Sequence, residues 1–114
     1  MPFKSRVPAI RGSNYEIPIT FKIPVNNDWV NVAPDTVRWT LKDKRDNVIS
    51  YNVDVEELAS SIVIVLNGVN LEPIDGETSD IDPVRILIIE ATYSYGGVSN
   101  LPWRDWVEFV ILDA

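Results

Sequence analysis

The strongest constraint on the fold is a strict alternation of apolar and polar side chains over residues 15–25. The apolar positions are Tyr15, Ile17, Ile19, Phe21, Ile23 and Val25. Successive side chains of a strand point to opposite faces, so this pattern predicts a half-buried strand with one apolar face. Pro18 and Pro24 occupy polar positions, and proline has no backbone N–H to donate to a neighbouring strand. We therefore expect this strand at the edge of a sheet, or interrupted by a bulge.

Further short segments are rich in β-branched and aromatic residues and are bounded by turn signals, which is typical of strands. They are residues 6–10, 36–42, 48–52, 62–66, 84–95 and 103–112. Only residues 54–59 look helical, because acidic side chains open the segment. The pattern predicts an all-β fold, an Ig-like or fibronectin III-like β-sandwich of about seven strands. Residues 1–114 would form a single domain, with residues 1–14 as a candidate extended N-terminal arm.

The composition excludes several classes of function. Cysteine and histidine are both absent, so the chain has no disulfide, no Cys/His zinc site and no Ser-His pair. A glycine-rich phosphate loop is also absent, and we expect neither enzymatic activity nor a cofactor. The net charge of −7 repels phosphate, which argues against a nucleic-acid partner. We expect no signal peptide and no membrane partner, because no apolar run approaches the length of a spanning helix.

Charge is divided unevenly along the chain. Residues 1–52 carry eight cations and five carboxylates, whereas residues 53–114 carry two cations and twelve carboxylates. Such asymmetry can indicate a protein that packs against neighbours or copies of itself. The alternative is that both halves interleave within one fold, so that the asymmetry cancels in space.

The last two long strands are apolar on both faces, although a sandwich buries only one face of each strand. The outer-face residues Ile86, Ile88, Trp106, Val110 and Leu112 therefore form a candidate contact surface. Leaving such side chains in water costs roughly 1.5–3 kcal/mol each, and exposed stripes of this kind usually mark an interface. The alternative is a cover within the chain, by the turn near residues 53–60 or by the N-terminal arm. The arm also carries the basic residues Lys4, Arg6 and Arg11, which would suit an acidic surface of a neighbouring copy.

Two weaker constellations remain. The loop residues Asp75, Glu77, Asp80 and Asp82 offer oxygen ligands for Ca²⁺, but their spacing does not match the calcium-binding loop, and a solvated surface loop is the simpler interpretation. Aromatic side chains on a sandwich surface can stack against sugars. Trp103 and Tyr95 are the candidates for such a carbohydrate site, with packing at a sheet edge or a protein contact as the alternative.

Three motifs follow one another in the second half of the chain: an apolar strand and Asn-Gly turn at residues 61–68, an E-A-T-Y strand at residues 85–93, and an L-P-x-[RK]-D-x-V-x-F strand at residues 101–109. In these motifs the chain resembles small Ig-like structural proteins of tailed bacteriophages. Residues 71–73 add a weaker general similarity to fibronectin III-like sandwiches. The resemblance implies a virion protein without catalytic residues, made in the host cytoplasm. It would decorate the capsid or join a head–tail or tail assembly, in contact with other virion proteins or copies of itself. The alternative function is a carbohydrate- or host-surface-binding module.

Overall fold

The computed structural model describes residues 3–4, 8–11, 13–72 and 83–112. Within these residues the chain forms strands and one 3₁₀ turn (Gly68–Leu71), which confirms the all-β prediction. The strands are β1 (Phe3–Lys4), β2 (Ala9–Ile10), β3 (Tyr15–Thr20), β4 (Lys22–Val25), β5 (Asp28–Asn31), β6 (Pro34–Asp43), β7 (Val48–Asp54), β8 (Ser61–Leu66), β9 (Val84–Tyr95) and β10 (Val98–Leu112).

The predicted helical turn at residues 54–59 is wrong. Asp54 is the last residue of β7, and the N–H of Val55 donates to the carbonyl of Val37 (3.0 Å). This bond continues the pairing of β7 with β6, so the local acidic signal is overruled by the hydrogen bonds of the sheet.

A large sheet with the order β1-β10-β9-β6-β7 forms one layer. β10 pairs antiparallel with β9, and its other edge pairs in parallel with β1 and then β2. β6 of the basic half of the chain pairs with β9 of the acidic half, and β10 of the acidic half pairs with β1 and β2 of the basic half. Arg38 on β6 accordingly forms an ion pair with Asp54 on β7 (3.1 Å). The two halves of the chain therefore interleave, as the second interpretation of the charge asymmetry predicts.

The second layer contains the antiparallel pair β3–β8 and the hairpin β4–β5. Phe21 joins β3 to β4, because its N–H donates to Ser60 (2.8 Å) and its carbonyl accepts from Val32 (2.9 Å). The N–H and C=O of one residue point to the same edge of a strand, so both bonds of Phe21 lie along one edge. Residues 15–25 therefore form one long strand, and along that edge its first part pairs with β8 and its second part with β5. Alternate residues of a strand direct their backbone groups to opposite edges. Pro18 and Pro24 then face the unpaired edge, which confirms the prediction of an edge strand.

The core lies between the layers and contains the alternate apolar residues of the long strands. Tyr15 packs against Phe109 with ring centroids 4.7 Å apart, and Phe21 packs edge-on against Trp103 at the same distance. Both contacts join the β3–β4 strand to β10. Trp39 is buried in this core, as its place in the alternation predicts. The sequence therefore folds as stacked sheets, which is the coarse architecture of a β-sandwich.

Asp43 is a buried carboxylate that holds the turn between β6 and β7. It accepts hydrogen bonds from the backbone N–H of Arg45 and of Asn47 (both 2.8 Å) and from the side chain of Asn47 (2.9 Å). Burial acts to raise the pKa of Asp43, but the hydrogen bonds from Asn47 and Arg45 outweigh it and hold the pKa below its ordinary value of 3.8. The ionised form therefore stabilises the fold.

We expect Asp43→Asn to lower the free energy of unfolding by about 1–2 kcal/mol at neutral pH, because an amide cannot accept all of these bonds. A carboxylate with a lowered pKa contributes stability above its unfolded pKa and loses that contribution as the pH falls through the folded pKa. The difference between wild type and variant should thus be constant near neutral pH and shrink below pH 3.8. Urea denaturation at a series of pH values measures it. Asp46→Asn, at an exposed ion pair, is the control and should change stability by less than about 0.5 kcal/mol.

Candidate protein-contact surface

The outer face of the large sheet brings the predicted apolar residues together. The β9–β10 register places Ile88 opposite Trp106 and Val84 opposite Val110. Their immediate neighbours in sequence, such as Leu87 and Val107, are buried in the core on the other face. Because alternate residues of a strand point to opposite faces, the predicted residues share the outer face of the sheet. We call this set the apolar stripe: Ile86, Ile88, Trp106, Val110 and Leu112.

The apolar stripe is partly accessible to solvent. Trp106 is 38% exposed, and the other four residues are half-buried. A shallow depression of about 270 Å³ opens on this face, lined by Lys42, Ile86, Ile88, Arg104 and Trp106. Because four of the five side chains are half-buried, the surface is less exposed than five apolar side chains in water would be.

Among the described residues, neither of the two covers considered from the sequence lies over the apolar stripe. The described residues of the N-terminal arm extend the sheet sideways, because β1 and β2 pair with the edge of β10. Residues 55–59 line a different depression, together with Pro18 and Val63 of the second layer. Within the described part of the chain, the stripe therefore stays on the surface.

Charged residues flank the apolar stripe and were not anticipated as part of it. Ile86 has Lys42 opposite it on β6 and Glu108 opposite it on β10. Four residues further along β9, Glu90 lies between Arg38 and Arg104. The charged residues beside Ile86 and Glu90 thus lie in two rows across the sheet. The apolar area between these rows is small and has positive and negative charges around it. Position parity assigns these charges to the outer face, but their places beside Ile86 and Glu90 depend on the strand register.

Ile10 extends the apolar stripe at the edge of the sheet. It lies opposite Leu112 in the parallel β2–β10 pair and is exposed. Ile10 belongs to the strand predicted at residues 6–10, but its place in the contact surface was not predicted, because the two residues of β2 show no period that assigns them to a face.

The predicted basic residues of the arm have different environments. Lys4 lies in β1, opposite Glu108 of β10, and Arg6 falls outside the described residues. Arg11 donates from its Nε to Glu72 (2.7 Å), and its backbone N–H donates to Leu112 (2.8 Å). The Arg11 side chain thus contacts an acid of its own chain, and its use in a contact between copies stays a prediction.

The two residues of the predicted sugar site line separate depressions. Tyr95 borders one of about 420 Å³, and Trp103 borders another of about 590 Å³. Trp103 is fixed in place, because its indole N–H donates to the carbonyl of Lys22 (3.1 Å) and its ring packs against Phe21. The larger depression also contains Trp29, which is 65% exposed and was not selected from the sequence. Its position two residues after the Asn26-Asn27 turn gave no functional signal.

The candidate calcium loop, with Asp75, Glu77, Asp80 and Asp82, lies outside the described residues. Among the residues that are described, no group of three or more acids, histidines or cysteines is placed to hold a metal ion. The same part of the chain contains no helix with the length and hydrophobicity needed to cross a membrane.

Comparison with protein-family models, with curated proteins and with solved structures finds no match for this chain.

Proposed function

We propose that the chain is a non-enzymatic structural protein that assembles in repeated copies through its apolar stripe. A tailed-phage particle is the setting that the sequence resemblance favours, with capsid decoration or head–tail or tail assembly as the role. The observation that carries the proposal is the open stripe around Ile88 and Trp106, on a face that neither β1, β2 nor residues 55–59 cover. Modest contacts of this kind become strong when symmetry repeats them.

An Ig-like arrangement is the finer fold that we propose. The order β7-β6-β9-β10 in one layer, facing β8 and β3 in the other, corresponds to the sheet order of immunoglobulin-type sandwiches. Domains of this architecture commonly act as binding and assembly modules, and the fold by itself assigns no chemistry. This likeness supports an assembly role only in combination with the apolar stripe.

The test is a charged substitution in the stripe. Trp106→Glu should raise the dissociation constant for self-association at least about tenfold, because it removes the largest side chain of the contact and places a charge there. Sedimentation velocity over a range of protein concentrations measures the change. Trp29→Glu is the matched control, since it alters an exposed tryptophan on the other layer and should leave association unchanged. A wild-type chain that stays monomeric throughout that range would contradict assembly through copies of itself.

A carbohydrate- or host-surface-binding module is the second candidate function. The depression that contains Trp29 and Trp103 favours it, because Lys22, Arg104 and Asp105 line the same depression with polar groups. Aromatic faces combined with such groups are suited to sugars. A glycan array distinguishes the two functions: sugar binding that Trp29→Glu abolishes and Trp106→Glu preserves supports this candidate, and an array without binding counts against it.

A further inference from the structure

A second proposal concerns the edge of β8 that faces away from β3. The hydrogen bond from Phe21 N–H to Ser60 sets the parity of the β3–β8 pair. The partner-facing residues of β3 are then Ile17 and Ile19, which lie opposite Ile64 and Ile62. Because alternate residues face opposite edges, the backbone N–H and C=O groups of the remaining β8 residues point away from β3. These residues are Ser61, Val63 and Val65.

This edge lacks the features that normally prevent strand addition. The segment Ser61–Leu66 contains no proline and no charged residue. Val63 and Val65 are 54% and 47% exposed, and no described strand pairs with their side of β8. The opposite edge of the layer is protected, since Pro18 lies directly across from Val63 and has no N–H to offer. The layer therefore has one blocked edge and one accepting edge.

The large sheet extends beyond β8 on this side. The β3–β4 strand contacts β10 through its aromatic rings, whereas the turn after β8 approaches β7, where Ser50 Oγ and Asn70 Oδ1 lie 2.7 Å apart. The burial of the apolar side chains also decreases from β6 to β7. Leu41 of β6 is fully buried, but Ile49 and Val53 of β7 are only half-buried. Within the described part of the chain, the inner face of β7 is thus incompletely covered beside the accepting edge.

We propose that β8 accepts an extended, basic strand from another protein. Such a strand would pair with the backbone of residues 61, 63 and 65 and cover Ile49 and Val53. Main-chain hydrogen bonds supply the affinity in this mode of recognition, and the alternate side chains supply the specificity. The preference for a basic strand follows from the exposed carboxylates of Glu56 and Glu57, in the segment that leads into β8. A single strand fits better than the β8 of a second copy, because β7 continues beneath the position that a second sheet would occupy.

The site is independent of the apolar stripe. It belongs to the other layer and uses backbone groups rather than exposed apolar side chains. Binding at one surface can therefore be lost while binding at the other is retained. Trp106→Glu should leave strand binding unchanged, and a substitution at Val63 should leave association through the stripe unchanged.

The experiment is a titration of the full chain with a short blocked peptide in which valine alternates with lysine, followed by amide NMR and hydrogen exchange. We expect saturable binding with a dissociation constant on the order of 1 mM. The amides of Ser61, Val63 and Val65 should exchange rapidly in the free protein and become protected at least about tenfold in the complex. The amides of Ile62 and Ile64, which face β3, should be protected in both states.

Val63→Pro is the decisive variant, because its missing N–H faces the open edge in the same way as that of Pro18. It should remain folded and lose peptide binding. Ile64→Pro, whose N–H faces β3, is the destabilising counterpart that verifies the parity. A peptide with glutamate in place of lysine should bind at least about tenfold more weakly. Three results would overturn the proposal: no protection at residues 61, 63 and 65, binding that survives Val63→Pro, or protection that rises with protein concentration alone, which would identify a second copy as the occupant.

Discussion

Phe21→Ala should lower the free energy of unfolding by about 3–5 kcal/mol, the range for removing a fully buried phenylalanine. Phe21 is fully buried and packs edge-on against Trp103 at a centroid distance of 4.7 Å. Its backbone also joins β3 to β4 and bonds to both Ser60 and Val32. The alanine variant would therefore leave a cavity at the point where the second layer meets β10. Urea denaturation followed by tryptophan fluorescence measures the loss, and Trp103 reports directly on the cavity.

Phe21→Leu is the appropriate control, because it preserves most of the buried volume and should cost less than half as much as the alanine substitution. A loss below about 1 kcal/mol for Phe21→Ala would contradict the assignment of Phe21 to the core.

Arg85→Leu should lower the free energy of unfolding by about 2–4 kcal/mol. Arg85 is fully buried, yet its guanidinium donates to three backbone carbonyls, those of Glu72 (2.7 Å), Val84 (3.2 Å) and Asn70 (3.3 Å). It thereby joins the segment that follows β8 to the start of β9. Leucine would leave these acceptors without their donor, and a buried carbonyl without a partner is costly. Thermal and urea denaturation measure the effect.

Arg85→Lys should recover only part of this stability, because an ammonium group cannot reach three acceptors in the geometry of the guanidinium fork. Arg104→Leu is the matched control at an exposed position and should change stability by less than about 0.5 kcal/mol. Equal losses for Arg85→Leu and Arg104→Leu would show that burial of Arg85 does not stabilise the fold.

The strands with alternating side chains were predictable, because burial of one face imposes a period of two directly on the sequence. The edge position of residues 15–25 followed from Pro18 and Pro24 alone. The pairings of the short strands β1 and β2 were harder to predict, since a strand of two residues shows no repeated alternation of apolar and polar side chains. The parallel partnership of Ala9 with Ile111 depends on the register of β10, which no local pattern specifies.

The apolar stripe was predictable for the same reason as the strands, whereas its surroundings required the register. Ile88 and Trp106 could be assigned to one face by parity once their strands were taken as neighbours. That Lys42 and Glu108 flank Ile86 depends on how β6 and β10 are aligned with β9. The buried position of Arg85 also escaped prediction, because an arginine within an apolar run gives no indication of which carbonyls it will reach.

The position of β10 between β9 and the first strands of the chain has a consequence for synthesis of the protein on the ribosome. β10 lies between β9 and the strands near the start of the chain, so β1 and β2 have no partner in this sheet until β10 has emerged. Before then, the pairings that the described strands offer the nascent chain are those among β6, β7 and β9 and those of the second layer. Pairing of β1 and β2 with this sheet therefore has to wait until β10 has been translated.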